Sequence, residues 1–120
     1  MLRGDYHPQS GWAAAAEPPR VSGPPTAIFA ANDLMAIGVL RAAGELEAPR
    51  PGRSRRRGFD DIELASYTTP PLTTVSQSAS EVGRAAVEIL LQRLADPARP
   101  PVRRTLETRL VVRASCGNQA

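Results

Sequence analysis

The sequence has no lysine, one cysteine, one histidine and only 4% aromatic residues, and each scarcity removes a class of protein. Cys116 has no second thiol with which to close an intramolecular disulfide, and with His7 alone beside it no Cys/His set can hold zinc. Disulfide scaffolds and zinc fingers are excluded, and no residue pattern calls for a cofactor. No apolar run approaches the roughly 18 to 20 residues of a bilayer-spanning helix, and Met1 to Pro8 lacks the basic and apolar blocks of a signal peptide. The expectation is a soluble, cytoplasmic protein with no membrane partner.

What is present is one modest domain's worth of chain. At 120 residues it buries only about two-thirds of its unfolded surface on folding, so there is no room for two independent cores. All 15 cations are arginine, and they are clustered: Arg41 to Arg57 holds six against Glu45 and Glu47, a local +4 that exceeds the +3 of the whole chain. The high isoelectric point therefore belongs to one stretch and does not describe a nucleic-acid-binding surface spread over a domain.

Hydrophobic patterning predicts alternating strands and helices. Thr26 to Ala31 is a short apolar run after Pro24-Pro25 and reads as a strand buried on both faces. Leu34 to Leu46 follows with helical spacing, and Asn32 or Asp33 suits its amino-terminal cap. Such sheets bind small molecules at the carboxyl ends of their strands, which puts Asn32 at a ligand-facing corner. Read from the residues alone, Asn32 is equally a helix cap and nothing more. Pro8 to Ala16 reads as a short helix starting at Pro8, with Trp12 as a packing anchor.

The Arg/Pro-rich stretch 47–57 is expected to be a solvated loop. It has two prolines and no apolar run, and burying several unpartnered guanidinium groups would cost several kcal/mol each. Leu72 to Ser76 reads as a short strand or extended crossover. Ser78-Ala79-Ser80-Glu81 has the form of a capping box for an amphipathic helix over 79–95, whose stripe is Val82, Ala85/Ala86, Ile89/Leu90 and Leu94. Thr105 to Arg113 alternates as a half-buried final strand, with Leu106, Thr108, Leu110 and Val112 on one side and Glu107, Arg109, Val111 and Arg113 on the other.

Five strings taken together, Gly4-Asp5-Tyr6, Pro25 to Asp33, Ala36-Ile37-Gly38, Gly58 to Glu63 and Pro70 to Val75, resemble the carboxyl-terminal part of the effector-binding domain of the LacI/GalR (lactose/galactose repressor) family of transcription regulators. The likeness covers most of residues 4–116. It implies an α/β fold, a partial periplasmic-binding-protein-like architecture in which a parallel sheet is flanked by helices, with a sugar or nucleobase-like effector held between two lobes. By this likeness Tyr6 matches an aromatic position packed against the effector, Asn32 and Asp60 match polar contacts, and Gln77 lies near the cleft. An amide and a carboxylate at strand ends can each pair with neighbouring hydroxyls, which agrees independently with such roles. Asp61 and Glu63 are expected to be solvated or helix-capping acids.

The resemblance also implies what this stretch lacks. It begins about two-thirds of the way through such a regulator, so operator DNA is a partner only of an amino-terminal domain outside it, and homodimerisation belongs to the full-length parent. Effector affinity is expected to be weak or nil. The helix over 79–95 belongs to the other lobe in the family, and its stripe should be bare here. Residues 1–116 form the partial effector-binding domain, and 117–120 form a tail. The family has an apolar strand where this chain has Arg53 to Arg57. A local reading-frame slip would account for that, and the encoding DNA tests it: another frame across codons 47–57 should give a Val/Ile-rich strand.

Three other classes fit less well. A sugar-binding transport protein of the same fold is the nearest alternative. A nucleic-acid module on Arg50 to Arg57 lacks interleaved aromatic residues, with a solvated loop as its simpler explanation. For an enzyme, the acids around Asp60 have no histidine, activated cysteine or phosphate loop beside them.

Overall fold

The computed structural model describes residues 2–17, 25–46 and 55–117. Helix α1 (Pro8–Ala16) begins at the predicted proline, whose fixed φ and missing N–H suit the first turn. It packs on α2 (Asp33–Leu46), and two glycines let the backbones meet. A Cβ at Gly11 would overlap the Met35 carbonyl, and one at Gly38 would overlap that of Pro8. Trp12 is half-buried and donates its indole N–H to Glu45 Oε2 at 2.7 Å, while Arg41 Nε donates to Glu45 Oε1, also at 2.7 Å.

Four strands form one sheet in sequence order: β1 (Ala27–Phe29), β2 (Arg55–Asp60), β3 (Thr73–Ser76) and β4 (Arg109–Val111). The first three are parallel and β4 is antiparallel to β3. A short α3 (Leu64–Tyr67) follows β2. Where α2 lies on the sheet, the core gathers Ala30, Ala36, Leu40, Ala65 and Leu72, with Met35, Ile37 and Ile62 packed against it. The ladder pairs the backbones of β2 and β3, and the buried Thr73 N–H at the start of β3 donates instead to the Ser115 hydroxyl at 2.8 Å.

Four expectations need correction. Arg55 to Arg57 is a strand and not a loop; residues 47–54 of that stretch lie outside the described residues. Pairing with β1 on one side and β3 on the other supplies what side-chain pattern could not, and period-two alternation turns only Arg56 inward, leaving Arg55 and Arg57 exposed. Strand β1 is an edge of the described sheet, so Phe29 is 63% exposed where burial on both faces was expected. Ser78 does not form the capping box: it sits at φ 50° and ψ 60°, its side chain makes no cap bond, and its carbonyl receives the Glu81 and Val82 N–H groups. In the final strand only Arg109–Val111 pairs, with Leu110 and Val112 outward and Val111 half-buried opposite Thr74.

Helix α4 (Ala79–Ala95) spans the predicted residues, but Ala85 is its only buried side chain. Val82, Leu90 and Leu94 are exposed, so its apolar stripe is bare. With α4 standing off the sheet, the radius of gyration is 18.2 Å, against about 14 Å for a compact chain of this length. No helix among the described residues is long and apolar enough to cross a membrane.

Candidate functional site

Parallel pairing sends the carboxyl ends of β1, β2 and β3 to one edge of the sheet. Phe29 is in register with Arg57, and Asp60 with Ser76, so Asn32-Asp33, Asp60-Asp61 and Ser76-Gln77 all emerge at that edge. The four sequence-predicted site residues fall there as two hydrogen-bonded pairs.

The first pair is Asn32 and Tyr6. Asn32 Oδ1 accepts the Met35 N–H at 2.9 Å and caps α2, while its Nδ2 donates to the Tyr6 carbonyl at 3.0 Å. The capping role is therefore real, and each end of the amide keeps one further hydrogen-bonding capacity. Tyr6 is held at φ 67° with its ring 65% exposed.

The second pair is Asp60 and Gln77, with Gln77 Nε2 donating to Asp60 Oδ1 at 2.9 Å. Burial pushes the Asp60 carboxyl above its ordinary value of 3.8, the charge of Asp33 pushes it the same way, and the Gln77 hydrogen bond opposes both. No hydrogen bond among the described side chains joins the two pairs.

Between them lies Asp33, which sequence reasoning treated only as a possible cap. It is fully buried on the first turn of α2. Its Oδ1 accepts the Thr74 hydroxyl at 2.5 Å and its Oδ2 accepts the Ile62 N–H at 3.0 Å. Asp61 also differs from expectation: it is neither solvated nor a cap, but meets Arg113 Nη2 at 2.8 Å with both side chains about four-fifths covered. Arg113 Nη1 also donates to the Leu72 carbonyl, and its backbone N–H and carbonyl bracket the Thr73 hydroxyl.

Beside Asp60 opens a cavity of about 570 Å³, lined among others by Ser76, Ser78, Glu81, Glu107 and Arg109. Tyr6, Asn32 and Gln77 do not line it. Among the described residues, the four non-glycine residues with positive φ, Tyr6, Asp60, Asp61 and Ser78, lie at this edge or on this cavity. Such backbone costs of order 1–3 kcal/mol per residue and gathers where function over-determines geometry. Among the described residues no cluster of His, Cys, Asp and Glu could hold a metal. The edge offers amide, carboxylate and hydroxyl groups suited to a hydroxylated guest.

Comparison with known proteins identifies the family. A family model described as a periplasmic binding protein-like domain matches residues 2–116. The chain belongs to that family. Within it, the likeness is to LacI-type regulators. The ribose operon repressor of Escherichia coli K12 is 42% identical over 91 residues, which are 76% of this chain and 28% of the repressor. A chain from Sanguibacter keddieii assigned to the LacI family superposes with a TM-score of 0.85 at 38% identity, covering 95% of this chain and 44% of that one. A LacI family transcriptional regulator from Enterococcus faecium, with bound ribose, gives a TM-score of 0.82 at 30% identity, covering 95% of this chain and 42% of that one. The chain thus spans less than a third of the repressor's length. These relatives are regulators and not enzymes, which favours the regulator over the transport protein of the same fold.

Proposed function

We propose that this chain is the carboxyl-terminal part of the sensing domain of a cytoplasmic, sugar-responsive LacI-type regulator, and that Tyr6, Asn32, Asp60 and Gln77 are its contribution to the effector site. The observation that carries this reading is the gathering of both residue pairs, and of the positive-φ residues Tyr6, Asp60 and Asp61, at the carboxyl edge of a parallel sheet. A carboxylate and two amides there can each engage adjacent sugar hydroxyls, and the exposed Tyr6 ring can cover an apolar sugar face. The Enterococcus faecium relative, with its bound ribose, supports a sugar as the class of ligand.

In the parent the effector favours one arrangement of two lobes, and DNA-binding heads on a homodimer gain or lose operator affinity accordingly. This chain supplies part of the sensor. Its bare α4 stripe is the surface that the other lobe would cover. The DNA upstream of the coding region tests the assignment. The remainder of the sensing domain preceded by a helix-turn-helix is expected in frame, and a secretion signal in its place would refute the regulator reading.

A further inference from the structure

Asp33 carries no assigned role at the edge, yet it ties three elements together. It sits on α2, reaches β3 through the Thr74 hydroxyl, and reaches the corner between β2 and α3 through the Ile62 N–H. Gly58 on β2 leaves room for it, since a Cβ there would overlap Asp33 Oδ1. Burying a carboxylate is costly, and an apolar side chain of similar volume would fill the same space without that cost. The corner it holds bears Asp60 and Asp61 at φ 122° and 60°, backbone that persists only under several restraints. The Ile62 bond is one restraint; the Gln77 and Arg113 contacts are the others.

We propose that Asp33 is the positioning residue of the effector site: its buried carboxylate locks the corner after β2 to β3 and so fixes where the Asp60 carboxylate points. The proposal rests on the reading of this edge as an effector site. Asp33 also acts through charge, because it disfavours ionisation of Asp60. The other groups facing Asp60 are Gln77, which favours ionisation, and Glu81, Glu107 and Arg109 across the cavity, while Asp61 is paired with Arg113.

Asparagine separates the geometric role from the charge. Its Oδ1 can accept the Ile62 N–H while its Nδ2 donates to a rotated Thr74 hydroxyl, so both bonds survive and the charge is lost. Alanine loses both bonds. The test follows the Asp60 carboxyl carbon by NMR through a pH titration, with amide exchange at Ile62, in the wild-type chain, Asp33→Asn and Asp33→Ala, each with and without D-ribose. In Asp33→Asn the Ile62 amide should stay protected and the Asp60 midpoint should move down. In Asp33→Ala the Ile62 protection and the ribose-induced shift at Gln77 should both be lost. Should Asp33→Ala not fold, Thr74→Val removes one of the two bonds and should speed Ile62 exchange and move the Asp60 carbon signal. An Asp60 midpoint unchanged in Asp33→Asn, or an Ile62 amide and Asp60 signal indifferent to Asp33→Ala or Thr74→Val, overturns the proposal. If ribose shifts residues of the wild-type chain only away from this edge, the effector reading fails instead, and the Asp33–Asp60 comparison still stands.

Discussion

Gly58 on β2 lies directly against Asp33 on α2, with the Ala36 side chain 3.2 Å from where a Gly58 Cβ would stand. Neither neighbour can yield, because Asp33 and Ala36 are both buried and Asp33 is held by two hydrogen bonds. Gly58→Ala is expected to destabilise the chain by about 2 kcal/mol through overpacking, read as a lower denaturation midpoint in urea. Gly83→Ala on α4, where a Cβ would meet nothing within 4 Å, should instead be neutral or slightly stabilising.

Asn32 divides its amide between two jobs, and substitutions separate them. Asn32→Asp keeps the acceptor for the Met35 N–H and loses the donor to the Tyr6 carbonyl, whereas Asn32→Ala loses both. The aspartate should hold most of the stability while freeing the Tyr6 segment, and the alanine should cost about 1 kcal/mol. Amide exchange at Met35 and His7 distinguishes the outcomes.

The Asp61–Arg113 pair is about four-fifths covered and shares Arg113 with the Leu72 carbonyl, while Arg41–Glu45 is an exposed helical pair. Removing one partner of the covered pair leaves the other charge without its neighbour, so Arg113→Met should cost roughly 2 kcal/mol, with little sensitivity to salt. Arg41→Met should cost at most about 0.5 kcal/mol, and added salt should erase the difference. Urea denaturation at low and high ionic strength tests both.

The Asp60 carboxyl holds its proton more tightly in the folded chain than in the unfolded one, mainly because of burial and then because of Asp33. Its ionisation therefore works against folding: the contribution is full below the ordinary value of 3.8 and is lost as pH rises through the higher folded value. Asp5, with Ser10 bonded to it, and Glu45, with Arg41 and then Trp12 bonded to it, are shifted down and lose their contributions as pH falls through their folded values. Measuring wild type against Asp60→Asn cancels those two. The asparagine variant should gain stability relative to wild type as pH rises above 3.8, and a constant difference across that range would refute the assignment.

The helices were the most legible part of the chain. Proline at the first position and an uninterrupted 3.6-residue stripe are local signals, so α1 and α4 stand where the sequence puts them. The strand through Arg55 to Arg57 is illegible in the sequence because its two neighbours in the sheet determine it, and its partners lie 28 residues before it and 16 after it along the chain. The Ser78 box does not form because its backbone is left-handed, a conformation that the S-x-x-E pattern does not signal. At the site, the residues that face outward at strand ends, Asn32, Asp60 and Gln77, could be named from a family likeness. The buried Asp33 could not, since an aspartate at the start of a helix looks the same whether it caps that helix or joins three elements.

Residue-resolved amide NMR of the chain titrated with D-ribose tests the central claim most directly. Weak, fast-exchange shifts confined to the carboxyl edge, at Tyr6, Asn32, Asp60 and Gln77, are expected, together with their loss in Asp60→Ala. Shifts under saturating sugar that centre elsewhere, for example around Trp12 between α1 and α2, or edge shifts that persist in Asp60→Ala, would contradict it.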